Sequence, residues 1–148
     1  MKTILLLLMM CAAYGISVDN EILFPLNGDK IYMSLAANGT LQVSRTKGPD
    51  FNVYYIQPIG IDGGWSMSIY DGAHPKGYEE QVIGEVTLHI GDKAVVGKRY
   101  MGKNGKPFVV VSEKYNQNDV LQVYIAFPDV KTLESVLSKV PQIKIVQN

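Results

Sequence analysis

From residue 30 onward the chain alternates apolar and polar positions in short runs broken by turn residues, the period-two signature of half-buried strands. Residues 30–36 (KIYMSLA) set Ile31, Met33 and Leu35 on one face, and residues 40–46 (TLQVSRT) do the same with Leu41 and Val43. Asn38-Gly39 lies between them and suits a type I′ turn, whose two central residues need positive φ. These two runs are therefore expected to pair as a hairpin. Residues 51–59 (FNVYYIQPI) read as a third strand, with Phe51, Val53 and Tyr55 opposite Asn52, Tyr54 and Ile56, and Pro58 marking its end. After the turn Ile61-Asp62-Gly63-Gly64, residues 65–70 (WSMSIY) alternate strictly, Trp65, Met67 and Ile69 against Ser66, Ser68 and Tyr70. Residues 71–78 (DGAHPKGY) hold two glycines and a proline and read as a loop.

Four more strands follow, at 81–90, 93–101, 107–113 and 120–127. Gly91-Asp92, Gly102-Lys103-Asn104-Gly105 and Asn116-Gln117-Asn118-Asp119 separate them. Connections this short join antiparallel neighbours, because parallel pairing needs a crossover of about a dozen residues or more. Pro128-Asp129 then stops the last of these strands and opens a helix, in which Val130, Leu133, Val136, Leu137 and Val140 recur at three- and four-residue steps until Pro141. Ile143 and Ile145 flank Lys144 as a short final strand. The fold expected is α+β, a single domain. It has a mainly antiparallel twisted sheet of about seven to nine short strands in hairpins and a meander, with one C-terminal helix packed on it. The strand, helix, strand ending resembles the close of the small α+β domains related to photosystem II extrinsic protein P. That likeness covers about the last third of the chain, lacks their early helix and carries no diagnostic residue.

The first fifteen residues, MKTILLLLMMCAAYG, break this pattern. Lys2 precedes an uncharged apolar stretch at 4–13, and Ala13-Tyr14-Gly15 places small residues three and one positions before a cut, so they read as a secretory signal peptide. Residues 16–148 are then the exported domain, periplasmic or extracellular. The apolar run is shorter than the roughly 20 residues of a membrane span, and Asp19, Asn20 and Glu21 follow closely. Leu8-Met9-Met10-Cys11 matches a lipoprotein box in part, and in that alternative the chain is anchored at Cys11.

Composition narrows the partners. The chain carries 14 basic and 14 acidic residues, and loss of Lys2 leaves 13 against 14. This near-neutral balance argues against nucleic acid as a general partner, since such binding rests on neutralising phosphates with clustered Lys and Arg. Cys11 is the sole cysteine, so the domain after the leader is disulfide-free and must hold together by packing and backbone pairing. This favours a bacterial periplasmic or cell-surface setting. Asn38-Gly39-Thr40 fits the glycosylation acceptor pattern, which matters only in a eukaryotic host.

Candidate chemistry concentrates at Tyr70-Asp71-Gly72-Ala73-His74-Pro75-Lys76, beside the strand bearing the only tryptophan. His74 is a residue type that titrates near neutrality, and Asp71 could orient it as an acid or base. The plainer reading makes both turn residues. Metal ligation could draw on His74, His89, Asp71, Glu79 and Glu80, but none shows the close His/Cys spacing of a zinc site, so no metal or cofactor is expected. His89 reads as an exposed strand residue. Serines lack nucleophile motifs, and Ser135 and Ser138 belong to the helix's polar face. Gly60 to Gly64 precede no helix and cannot cradle phosphate as a helix N-terminus does. Lys93, Lys98, Arg99, Lys103 and Lys106 make one hairpin basic, a pattern that guards exposed strand edges.

Tyrosine is abundant and serves both strands and recognition surfaces. The expected function is a small exported non-catalytic domain that binds a protein partner or cell-envelope component, in an accessory or inhibitor-like role. The expected contacts are Trp65, Tyr70, Asp71, His74, Lys76 and Tyr78. The alternative is a small extracytoplasmic hydrolase-like enzyme using His74 with Asp71.

Overall fold

The computed structural model describes residues 14–17, 22–25, 31–36, 40–58, 64–90, 93–137 and 142–147. The leader through Ala13, Asn38-Gly39, Ile61 to Gly63, Gly91-Asp92 and the run 138–141 lie outside them. Seven strands form an antiparallel sheet: β1 (Thr40–Lys47), β2 (Phe51–Pro58), β3 (Ser66–Gly72), β4 (Gln81–Ile90), β5 (Lys93–Met101), β6 (Pro107–Lys114) and β7 (Val120–Ala126). A short helix α1 (Val130–Val136) follows. In space the order is β1-β2-β3-β7-β6-β5-β4. Two meanders, one of three strands and one of four, are thus joined side by side where β3 meets β7. The expected four-strand meander is present, each strand paired with the next.

Directly opposed residues on neighbouring strands share a face, so the register defines the core. Tyr54 faces Ile69, Ile69 faces Val123, and Val123 faces Val111. All four are buried, with Ile56, Met67, Val109, Leu121 and Ile125 on the same side. α1 begins where Asp129 caps it: the Asp129 carboxylate accepts from the Thr132 backbone N–H at 2.7 Å. That bond satisfies one of the open donors of the first turn and holds the Asp129 carboxyl below its usual range. The helix sets Leu133 into the sheet's core and Leu137 against it. Val130, the first residue of the expected apolar stripe, remains exposed.

Three expectations are corrected. Residues 31–36 and 40–46 do not form a hairpin. β1 instead takes β2 as a neighbour over seven residue pairs, through a turn closed by the Gly48 N–H to Phe51 carbonyl bond (2.9 Å). Ile31–Ala36 pairs with Ile22–Pro25, towards the opposite end of the strand order. Asn-Gly favours a turn locally, but the longer ladder decides which strands meet. Next, Asp71 and Gly72 are strand residues rather than loop, opposed to Asn52 and Phe51 on β2. Asp71 tolerates this position because its carboxylate has partners there, given below.

The basic residues of β5, lastly, do not guard an edge, since β5 is paired on both sides. Lys93 instead pairs with Glu113 (2.7 Å), and Arg99 joins Glu134 of α1 and the Glu85 carbonyl. β5 also runs very close to β6 at Gly97, where a Cβ would collide with the Val110 carbonyl oxygen. Only glycine fits that approach.

Candidate functional site

β3 sends successive side chains to opposite faces. Trp65, just before it, is 7 % exposed and joins the core with Met67 and Ile69. Asp71 follows the same phase and is 0 % exposed. Its carboxylate accepts from the Asn52 side-chain amide (3.0 Å) and from the Tyr115 hydroxyl. The Asn52 oxygen in turn accepts from Arg45 Nε (3.1 Å) and Nη2 (2.6 Å). The Arg45 guanidinium lies 5.6 Å from the centre of the Tyr54 ring. Burial pushes the Tyr54 phenol up to about 12, against the opposing pull of Arg45. This chain of charge-assisted bonds satisfies the buried polar groups on the core face.

On the outer face β3 carries Ser66, Ser68 and Tyr70, and residues 73–80 fold back across them. The His74 backbone N–H donates to the Tyr70 hydroxyl (2.9 Å). Gln122, on β7, fastens the loop twice: its oxygen accepts from the Lys76 N–H (3.1 Å), and its amide donates to the Lys76 carbonyl (2.8 Å). Tyr78 ends the loop in an aromatic cluster. Its ring centre lies 5.8 Å from Tyr124, nearly parallel, and 5.4 Å from Phe108. Tyr100 completes the group by stacking on Phe108 at 5.0 Å. The Lys76 ammonium sits 5.1 Å from the Tyr78 ring centre, within cation–π range.

Between loop and sheet lies a cavity of about 440 Å³. Its floor is Tyr55, Ser68, Gln122 and Tyr124, and the loop contributes His74, Lys76, Tyr78 and Glu80. Burial raises the Tyr78 and Tyr124 phenols above their ordinary value, and the Glu80 carboxylate adds to both shifts. These groups therefore stay neutral donors at physiological pH. A second, smaller recess of about 180 Å³ shares Tyr55 and Ser68 with the first and adds Gln42, Ser44, Gln57 and Ser66. The Gln57 amide donates to the Gln42 oxygen at 3.1 Å.

Of the six residues singled out from the sequence, Tyr70, His74, Lys76 and Tyr78 line the larger cavity. Trp65 and Asp71 are turned to the core face. Asp71 is bonded to Asn52 and Tyr115, so the structure does not bring it to His74 as an orienting group. Glu80 lines the cavity, while His89 and Glu79 are exposed. Among the described residues no three His, Cys, Asp or Glu side chains gather to hold a metal ion, and no helix is long and apolar enough to cross a membrane. Sequence reasoning missed Tyr55, Gln122 and Tyr124 as site residues. Alternation placed Tyr55 on the face away from Tyr54, but only the pairing of β3 with β7 brings Gln122 and Tyr124 beside Tyr70 and Ser68. No protein-family model, curated protein or solved structure matches this chain.

Proposed function

We propose that the chain is an exported, non-catalytic binding domain that holds a protein partner or cell-envelope component on the outer face of its sheet, under the 73–80 loop. The observation that carries this is the cavity of about 440 Å³ floored by tyrosines on the side of the sheet away from its main core. Its size and its mix of rings with a few polar groups fit the usual make-up of ligand sites. Tyrosine supplies contact area at low conformational cost and keeps a hydroxyl for direction. Export rests on Lys2, the apolar stretch at 4–13 and the small residues Ala13 and Gly15. The run Gln142–Gln147 belongs to the same reading, as a final strand alongside Ile31–Ala36.

Cosedimentation with isolated envelope fractions tests the binding surface. The wild-type protein is expected to sediment with them and Tyr78→Ala to remain in the supernatant, while Lys103→Ala, on the exposed β5–β6 turn, behaves as wild type. Equal behaviour of all three would reject the site, and no sedimentation of any would reject the function. Export is checked by fusing residues 1–20 to an alkaline phosphatase lacking its own leader. Active enzyme is expected only outside the cytoplasm.

A further inference from the structure

The two recesses on the outer face differ from an ordinary protein-docking surface in the chemistry they present. The smaller one is lined by Gln42, Ser44, Gln57, Ser66 and Ser68 around Tyr55, which is 49 % exposed, together with Ile56 and Met67, whose side chains belong to the core. None of the lining side chains is charged, and each of the polar ones can hydrogen bond. Amides and hydroxyls both donate and accept. A ligand matching them carries many neutral groups that also do both. The half-exposed Tyr55 ring asks in addition for a flat apolar patch on the ligand.

Sugar rings meet both requirements, with hydroxyls around the rim and C–H groups on the ring face. We infer that the ligand of this surface is a neutral oligosaccharide lying across the strands, with one ring against Tyr55. This inference rests on the binding-domain reading above and gives it a ligand class.

The layout supports a chain of rings over a single one. Tyr55 and Ser68 line both recesses, so the path is continuous from Gln42 on β1 to Gln122 on β7. Those four strands are adjacent, and at about 4.8 Å per gap the path is roughly 14 Å wide. Charge agrees: His74, Lys76 and Glu80 line the larger cavity only, and there the Lys76 ammonium is opposed in sign by the Glu80 carboxylate. An anionic glycan would require a basic cluster. A peptide added as a strand would require an open sheet edge, whereas these recesses lie on a face.

Isothermal titration calorimetry of the purified protein decides the matter, using neutral tetrasaccharides of glucose, galactose, mannose and N-acetylglucosamine, with a heparin-derived tetrasaccharide as the anionic probe. At least one neutral probe is expected to bind and the anionic one is not. Tyr55→Ala is expected to weaken that binding tenfold or more, and Gln57→Ala severalfold. Both positions lie at the surface, and an unchanged melting temperature verifies the fold of each variant. The inference is overturned if no neutral probe binds, if only the anionic one does, or if neither substitution weakens binding. Should every oligosaccharide fail while cosedimentation with envelope fractions still depends on Tyr78, the ligand class is wrong and the binding domain stands. If cosedimentation fails as well, both readings fall together.

Discussion

On the core face of β3, Met67 and Ile69 are shut away in the hydrophobic core, with Ile69 opposed to Tyr54 and Val123. On the outer face of the same strand, Ser68 and Tyr70 line a cavity. The contrast continues across the sheet. Val109, Val111, Leu121, Val123 and Ile125 form the inner side, while Tyr78, Tyr100, Phe108 and Tyr124 cluster on the outer. Aliphatic side chains seal by shape alone and leave nothing for a ligand to address. Tyr78 and Tyr124 line the cavity with rings that also carry hydroxyls, so under the proposed function the sheet holds itself together on one side and recognises on the other. The core face does contain polar groups, in the Arg45–Asn52–Asp71–Tyr115 chain, but there they are spent on one another.

This division can be broken most severely at Ile69. Ile69→Ala removes a fully buried side chain in contact range of both meanders and is expected to cost about 2–5 kcal/mol, read by urea unfolding. A loss under about 1 kcal/mol would mean that the inner face is not the main source of stability. Asp71→Ala comes next. It removes the acceptor shared by Asn52 and Tyr115 and is expected to cost about 1–3 kcal/mol. If it unfolds at the wild-type urea concentration, the buried chain is not structural.

The smallest effect at neutral pH is alkaline titration, which sharpens the comparison. Tyr54, Tyr78 and Tyr124 all have phenols raised in the folded protein. Their contribution is therefore complete below the unfolded value of 10.0 and is lost as pH climbs through the folded value, about 12 for Tyr54. Tyrosinate absorbance is expected to develop on the outer face first and to include Tyr54 only as near-ultraviolet dichroism collapses. Titration of every tyrosine near 10.0 with the dichroism intact would contradict the burial described here.

How much was legible follows from what is local. The meander β4 to β7 could be read because each strand alternates and each turn is short. The β1–β2 hairpin is equally punctuated, by Gly48-Pro49-Asp50, yet Asn38-Gly39 is the stronger local turn signal, and turn chemistry alone does not state which neighbouring runs pair. The loop cluster was found because its residues are neighbours in sequence. Its floor was not, since β3 and β7 are far apart along the chain, and no periodicity states which distant strands will pair. Trp65 lies outside the cavity for a different reason. Its phase with Met67 and Ile69 assigns it to the interior. Asp71 shows the limit of turn chemistry: Asp-Gly is a common turn pair, and a buried amide and phenol were enough to keep it extended.

Gln122 imitates a piece of backbone. The primary amide offers Lys76 one donor and one acceptor side by side, as a neighbouring strand would. The 73–80 segment is thus fastened by side chains alone, this clasp together with the Tyr70 hydroxyl and the rings around Tyr78, so none of its attachments belongs to a ladder and its release would unzip no pair of strands.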